Sequence, residues 1–321
     1  MQSFSISLYL YYVKVMKHLL ILALLGWTTA AWSMGETYAV IVSGGRSKMY
    51  NHERYWNDCA FLYSTLRQKY HLPKDHIILL MADGNNPAND MLRDGATGFA
   101  SSPTDLDGDG QPDLMLAATR PNLDNTFYQL SKSLTSSDHL FIFITDHGEC
   151  DSYGGVHLWL WGNGQLTPDE LAAMVDQCHP ATMNILLGQC YAGNFVEALQ
   201  GKERIITAAC TAGQMSWSCK NRPYDEFVYH WTCAIAGHDE QGQPISADQN
   251  GDGCISMDEA YNYACQYDLR PETPVLTAMP VGLASEWSFC GVQTDSGIII
   301  SIDENKRIPI YNLQGRMVSN H

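Results

Sequence analysis

Short, nearly unbroken apolar runs alternate along the chain with longer stretches whose apolar residues recur at helical spacing. The runs cover residues 38–43, 76–81, 140–144, 183–187 and 204–209, and turn residues flank them. Runs of this kind are typical of strands buried on both faces, as in a parallel sheet. The stretches between them predict helices over 59–70, 122–134, 167–175, 193–199 and 225–236. The pattern therefore predicts an α/β domain with a mostly parallel central sheet.

Three regions depart from this alternation. Residues 85–121 are rich in Gly, Asn, Asp and Pro and predict a long insertion that needs something to hold it in place. From 293 to 321 the pattern changes to short apolar and polar alternation, which predicts a short β-rich C-terminal tail. Residues 150–164 combine glycines with aromatic residues and predict a hairpin.

The first 33 residues have the pattern of a signal peptide. Lys14 and Lys17 precede the apolar run 19–25, and small residues near Ser33 resemble a cleavage site. Met16 is an alternative start. A membrane anchor is the competing interpretation, but the run is short for a bilayer span. We expect an exported protein, periplasmic, on the cell surface or secreted, whose main domain covers 34–292.

Charge and cysteine content narrow the function classes. The net charge of −16 over 321 residues argues against a nucleic-acid partner. None of the 10 cysteines forms a CxxC pair, which argues against a zinc ribbon. In an exported protein most cysteines should be disulfide-bonded, and one catalytic thiol would leave an odd number for pairing.

The insertion contains the first half of a calcium-loop pattern. Over 105–116, aspartates alternate and a glycine follows, an arrangement that surrounds a hard cation with oxygen atoms. The twelfth position holds Leu116 in place of an acidic residue, so the site is atypical, and a solvated acidic turn is the alternative. The expected ligands are Asp105, Asp107, Asp109, Gln111 and Asp113.

A second loop, 248–259, fits the EF-hand pattern more closely. Acidic or amide residues occupy positions one, three, five and twelve, a glycine stands at six and an aliphatic residue at eight. We interpret the expected Ca²⁺ as structural, because a hard cation prefers oxygen ligands to a thiolate. The expected ligands are Asp248, Asn250, Asp252, Cys254 and Glu259.

Two of the apolar runs lead into reactive side chains. The run 140–144 leads into His147, and the run 183–187 leads into Cys190. The carboxyl ends of neighbouring parallel strands lie at one edge of a sheet, which would bring the two side chains together. A thiol needs a nearby base, and histidine can act as base and acid. This predicts a His147–Cys190 dyad, with the N–H groups of Gly148 and Cys190 as oxyanion donors. The alternative is a structural histidine and an inert buried thiol.

In the order and spacing of these blocks the chain resembles the legumain-like cysteine peptidases of the caspase–hemoglobinase clan, from about residue 38 to 231. Thr145-Asp146-His147-Gly148 and the later strand ending at Cys190 carry the resemblance. It implies a caspase-like three-layer fold and endopeptidase activity through a thiol-ester acyl-enzyme. His147 would be the general acid and base, and Cys190 the nucleophile. Asn51 falls where legumains keep an asparagine that orients the histidine.

The specificity pocket departs from the legumain pattern. Legumains place an Arg-His pair after that asparagine, and Gly188 replaces an acidic residue two positions before the nucleophile. We expect Asn, or Asp, at P1; a basic P1 residue (Arg or Lys) received by Asp225 and Glu53 is the alternative. The expected substrate-binding residues are Glu53, Arg54, Gln189, Ser216 and Asp225.

Two further alternatives follow. A transamidase would share the dyad but resolve the acyl-enzyme with an amine. From another class, an inactive calcium-stabilised binding protein would keep the loops and display aromatic residues. The first expectation is a peptidase acting on protein or peptide substrates, with no membrane span after signal removal.

Overall fold

The computed structural model describes residues 35–93 and 98–290. The predicted signal peptide and the β-rich tail therefore lie outside the described residues. No helix among those described is long and apolar enough to cross a membrane.

A seven-stranded sheet forms the centre of the molecule, in the order β12-β11-β10-β6-β1-β2-β5. All its neighbouring strands pair in parallel except β11 and β12, which are antiparallel. The strands are β1 (Thr37–Ser43), β2 (Ile77–Met81), β5 (Met115–Leu116), β6 (His139–Thr145), β10 (Thr182–Leu187), β11 (Arg204–Ala208) and β12 (Val275–Met279).

Two smaller sheets flank the main one. The insertion contributes the pair β3 (Met91–Leu92) and β4 (Phe99–Ala100). The predicted hairpin is a three-stranded antiparallel sheet of β7 (Gly148–Cys150), β8 (Val156–Leu160) and β9 (Gly164–Leu166). The insertion also supplies β5, so it is fastened to the edge of the main sheet beside β2.

Seven helices complete the described part of the chain. They are α1 (Glu53–Gln68), α2 (Arg120–Ser133), α3 (Pro168–Val175), α4 (Gly193–Leu199), α5 (Glu226–Ala236), α6 (Met257–Tyr267) and α7 (Leu283–Glu286). The helices α2, α3 and α4 pack on one face of the sheet, and α1, α5, α6 and α7 on the other.

Alternation along the strands builds these three layers. In β1, Val40 and Val42 enter the core beneath α2, whereas Ala39 and Ile41 enter the core beneath α1. Because side chains alternate across a strand, a run that is apolar at every position is buried on both faces. The mostly parallel, caspase-like α/β fold expected from the sequence is confirmed.

The differences lie at element ends and at the sheet edge. Helix α1 begins at Glu53, ahead of the predicted start, because its first turn packs the buried Tyr55 against the site. Strand β12 was not predicted. Its residues are mostly half-buried, so it lacks the continuous apolar run that identified the central strands.

Candidate active site

The expected strand neighbours are direct neighbours. Leu187 at the end of β10 pairs with Ile144 of β6, and the Gly188 N–H donates to the Ile144 carbonyl at 2.8 Å. Past the strand ends, Gly148 packs on Cys190 so closely that any side chain at 148 would collide with the Cys190 carbonyl oxygen. The residues around His147 and Cys190 therefore meet at one edge of the sheet.

The backbone is strained beside each of the two residues. Asp146, just before His147, has φ of +112°, and Tyr191, just after Cys190, has φ of +60°. The Asp146 carboxylate secures its turn by accepting from the Ser43 hydroxyl at 3.1 Å, the His147 N–H at 2.6 Å and the Gly45 N–H. Non-glycine residues in such conformations cluster at functional sites, where surrounding bonds hold them in place.

A backbone carbonyl, not the Asn51 amide, faces the imidazole. Nε2 of His147 lies 3.0 Å from the carbonyl oxygen of Tyr50. Asn51 is buried and its amide donates to Asp90, at 3.1 Å to the carbonyl and 3.4 Å to the carboxylate. The expected position of Asn51 against the ring is corrected accordingly: the residue before it occupies that place.

Burial sets the protonation states of the two residues. The pKa of His147 is lowered to about 4, mainly by desolvation and also by the nearby charges of Arg54 and Arg46, against the hydrogen bond to Tyr50. Desolvation raises the pKa of the Cys190 thiol and the charge of Asp225 adds to this, against the hydrogen bonds to Ser216. Both shifts favour the uncharged form, so near neutral pH the imidazole and thiol are both neutral.

The loop after β11 reaches the nucleophile candidate. The Cys190 thiol donates to the Ser216 carbonyl at 3.6 Å, and the Ser216 hydroxyl donates back to the sulfur at 3.6 Å. The segment after α6 supports this loop, because the Trp217 N–H donates to the Glu272 carboxyl at 2.9 Å. Ser216 thus lies in contact with the nucleophile candidate, and its contact with substrate stays a prediction.

Arg54 and Asp225 form an ion pair near Cys190. Arg54 Nε donates to Asp225 Oδ1 at 2.9 Å, with both side chains largely buried, and Asp225 lies near enough to raise the Cys190 pKa. Glu53 is the first residue of α1, and it is its neighbour Arg54 that bonds Asp225. Since Asp225 already neutralises a guanidinium, the pairing weighs against a basic P1 residue.

Two positions next to the nucleophile differ from the expected pocket. A side chain on Gly188 would meet Val228 of α5 within 2.6 Å, so Val228 fills the space of the missing acidic residue. Gln189 is fully buried beneath Gly148, and neither side-chain polar atom has a hydrogen-bond partner among the described residues. Its expected contact with substrate is corrected, because the side chain points into the protein interior.

Sequence reasoning missed Tyr55, Tyr50 and Glu272. The Tyr55 hydroxyl lies 3.4 Å from Nδ1 of His147. Tyr50 contacts the imidazole through its backbone carbonyl, which every residue has, so its residue type gave no signal. Glu272 belongs to a segment without an apolar pattern. The one available signal was the large aromatic content between Tyr50 and Trp56.

The first acidic loop brings carboxylates together. Oxygen atoms of Asp105, Asp107 and Asp109 lie within 4.8 Å of one another. Lys74 bonds Asp109 at 2.9 Å and Asp113 at 3.0 Å. Asp113 is engaged elsewhere, accepting from Tyr63 and the Leu106 N–H. Gln111 is exposed and its N–H donates to Asp109 at 2.8 Å.

The second loop is folded around its own backbone. Asp248 accepts the N–H groups of Gly251 and Gly253, at 2.6 and 2.9 Å. Glu259 accepts from Ser256 at the start of α6 and from the Gln249 N–H. Among the described residues the convergent acidic trio is in the first loop, the one the sequence favoured less.

Disulfides are fewer than expected. All ten cysteines fall within the described residues, and only Cys254–Cys290 is bonded. Several free cysteines are buried and pack as small apolar side chains, which corrects the expectation that most would pair. The free cysteines are Cys59, Cys150, Cys178, Cys190, Cys210, Cys219, Cys233 and Cys265.

Comparison with known families gives a match over this part of the chain. Residues 121–247 match the model of the Peptidase C13 family, a range that contains His147, Cys190, Ser216 and Asp225. The match confirms the resemblance to legumain-like peptidases and supports cysteine peptidase activity on protein substrates in general. Helix α1, with Arg54, precedes the matched range. A comparison with curated proteins gave no match.

Proposed function

We propose that the protein is an exported cysteine endopeptidase that cleaves after asparagine through Cys190 and His147. The observation that carries the proposal is the meeting of the β6 and β10 ends, where Gly148 packs directly on the Cys190 backbone. That contact brings a histidine-bearing turn and a cysteine-bearing turn to one edge of the sheet, as acyl transfer to a thiol requires.

In this proposal the Cys190 thiol and the His147 imidazole are both uncharged before substrate binds. The shifts of both pKa values toward neutrality support a mechanism in which His147 takes the thiol proton as sulfur attacks the scissile carbonyl. Nε2 faces the Tyr50 carbonyl, so Nδ1 is the nitrogen left for this exchange. His147 then gives the proton to the leaving amine. Water, deprotonated by His147, hydrolyses the thiol ester.

The oxyanion of each tetrahedral intermediate needs fixed donors. The N–H groups of Gly148 and Cys190 are the candidates, because these two residues are in direct contact where the ends of β6 and β10 meet. Removing one such donor costs about 3 kcal/mol of transition-state stabilisation in comparable enzymes.

The Arg54–Asp225 pair supports asparagine at P1. A carboxamide offers both an acceptor and donors, so it can bond the guanidinium with its oxygen and the carboxylate with its NH₂ group. A basic P1 side chain would meet the Arg54 charge, and an acidic one would meet Asp225. Asparagine satisfies both groups without a net charge.

A peptide panel tests the proposal. Matched substrates with Asn, Asp, Arg or Ala at P1 are incubated with wild type, Cys190→Ala and the control Cys150→Ala, which removes an exposed free thiol. We expect cleavage after Asn by wild type and control, and none by Cys190→Ala. Cleavage that persists in Cys190→Ala overturns the nucleophile. Preference for Arg overturns the pocket assignment, and products extended by an added amine indicate a transamidase.

Export and structural calcium belong to the same proposal. The Cys254–Cys290 disulfide supports an oxidising compartment. The trio Asp105, Asp107 and Asp109 supports a Ca²⁺ site that fastens the insertion, and loop 248–259 is proposed as a second site. The cation supplies rigidity in both loops and takes no part in the chemistry at Cys190.

A further inference from the structure

The Tyr55 side chain lies between the Arg54–Asp225 ion pair and the imidazole of His147. Its hydroxyl is 3.4 Å from Nδ1 and 3.5 Å from Nε2 of His147, and its ring stands edge-on to the imidazole with centroids 5.3 Å apart. On the other side, Arg54 Nη2 donates to the same hydroxyl at 2.6 Å. Tyr55 is only 3% exposed, so these contacts are shielded from water.

The directions of these bonds follow from the donors available. Arg54 can only donate, so the Tyr55 oxygen accepts from it and keeps its own proton for another partner. Burial raises the pKa of Tyr55 well above its ordinary value, which keeps the phenol protonated. Since the Tyr50 carbonyl can only accept, Nε2 of a neutral His147 carries the hydrogen. Nδ1 is then the acceptor that faces the Tyr55 hydroxyl.

We propose that Tyr55 is a positioning residue that holds His147 in the tautomer able to accept the thiol proton, and that it links this histidine to the Arg54–Asp225 pair. The inference rests on the proposed function and extends it. A P1 carboxamide that accepts from Arg54 competes with the Tyr55 oxygen for the guanidinium. Filling the pocket therefore loosens the Arg54–Tyr55 bond that fixes the hydroxyl, and the hydroxyl can then turn away from Nδ1 and leave it to accept the thiol proton.

If Tyr55 links the Arg54–Asp225 pair to His147, the identity of the P1 residue affects kcat as well as KM. If the pocket only binds substrate, a P1 change from Asn to Ala raises KM alone. If Tyr55 transmits pocket occupancy, the same change also lowers kcat, because His147 stays engaged. Two observables therefore separate a positioning role from packing: the P1 dependence of kcat, and the pH dependence of the imidazole.

Tyr55→Phe removes the hydroxyl and keeps the ring. Loss of one hydrogen bond of this kind predicts a roughly tenfold drop in kcat for the Asn substrate. The kcat ratio between Asn and Ala substrates should shrink toward one while the KM difference remains. Tyr63→Phe is the matched control, since it removes another buried hydroxyl of α1, bonded to Asp113 at 2.7 Å. We expect that control to keep the wild-type ratio.

The pH arm needs no peptide substrate. The rate of Cys190 alkylation by iodoacetamide is followed against pH in a Cys150→Ser background, with Cys190→Ala subtracted. The groups facing His147 are Arg46, His52, Arg54, Tyr50 and Tyr55, with Asp146 next to it in the chain. Removing a donor to neutral imidazole favours its protonated form, so the inflection of His147 should move to higher pH in Tyr55→Phe.

The outcomes separate the two proposals. An inactive wild type whose alkylation profile still shifts in Tyr55→Phe contradicts the peptidase and supports the positioning role. An active enzyme in which Tyr55→Phe leaves both the kcat ratio and the alkylation profile unchanged overturns the positioning role. A drop in kcat equal for all substrates, with an unshifted profile, also overturns it, because packing alone explains that result.

Discussion

At the scale of single residues, the site depends on positions where a side chain is absent or a backbone is strained. Gly148 is one of these, since it lets the turn after β6 contact the Cys190 backbone. Asp146 and Tyr191 are others, since each has a positive φ in the turn that follows its strand. Such positions cost stability and persist because neighbouring hydrogen bonds fix them.

Gly148→Ala tests the contact directly. The added methyl group collides with the Cys190 carbonyl, so the two turns must separate. We expect a loss of peptide cleavage on the order of a hundredfold, comparable to the removal of one oxyanion donor. The measurement is kcat/KM on the Asn substrate, with thermal melting to confirm folding. Glu149→Ala, one residue on and half-exposed, is the control and should stay within a few-fold of wild type.

Residue identity predicted the two reactive side chains, but not their partners. His147 and Cys190 each follow a strand, so parallel-sheet geometry placed both at one edge before any coordinates. The Tyr50 carbonyl and the Tyr55 hydroxyl depend on how α1 enters the site. A backbone oxygen carries no sequence signal, and a tyrosine at helical spacing reads as an ordinary core residue.

At the scale of elements, the segment after α6 supports the loop that contacts Cys190. Glu272 accepts the Trp217 N–H, and Gln214 and Thr273 bond each other across the same two segments, with Thr273 N–H to Gln214 Oε1 at 3.1 Å. Burial, and then the nearby Asp268 charge, raise the pKa of Glu272 to about 9. The native state therefore holds a proton there across the neutral range.

Glu272→Gln should remove a pH dependence of stability. The folded pKa of about 9 exceeds the ordinary 4.5, so the folded state binds more protons and the free energy of unfolding falls as pH rises between these values. Glutamine can keep the bond to Trp217 without ionising. Thermal melts at pH 5 and pH 9 should show a shallower decline for the variant. The control Glu286→Gln changes an exposed residue of α7, and its melting temperature should fall between pH 5 and pH 9 as much as that of wild type. An equally steep fall for Glu272→Gln would show that the Glu272 carboxyl is ionised in the folded protein.

The two acidic loops give a second prediction at this scale. If Ca²⁺ binds the native loops, a free Ca²⁺ concentration a hundredfold above Kd stabilises the folded protein by roughly 3 kcal/mol. A chelator removes this stabilisation and therefore lowers the melting temperature. Asp107→Asn and Asp252→Asn each weaken one loop without changing side-chain shape, so each should lose part of the response. Equal melting temperatures with Ca²⁺ and with chelator, in wild type, contradict both sites.

Elements with a continuous apolar run were predictable, and elements at the sheet edge were not. Strands β1, β6 and β10 are buried on both faces at every position after the first residue of β1 and of β6, and most of these positions are apolar. Strand β12 is half-buried at the edge, and β5 has two residues, so neither produces a pattern. The strand order itself comes from tertiary packing, and a local pattern does not encode it.

At the scale of the whole molecule, one covalent bond ties the second acidic loop to the end of the described chain. Cys254 and Cys290 are separated by 36 residues, a span that includes α6, β12 and α7. This span also carries Glu272, which supports the loop at Cys190. In the folded protein this segment supports the site. In the unfolded chain the disulfide closes the same segment into a loop and so restricts its conformations.

Loss of this disulfide should destabilise the whole domain. Closing a loop of this length stabilises by roughly 3–4 kcal/mol in the chain-entropy account. For a domain of this size that corresponds to a drop of about 6–15 °C in melting temperature. The double variant Cys254→Ser/Cys290→Ser is compared with Cys150→Ser, which removes an exposed free thiol. Because the segment also holds Trp217, peptide cleavage by the double variant should fail at a lower temperature than that of the control. A double variant that melts with the control would show that packing of α6 and β12, rather than the bond, holds this part of the molecule.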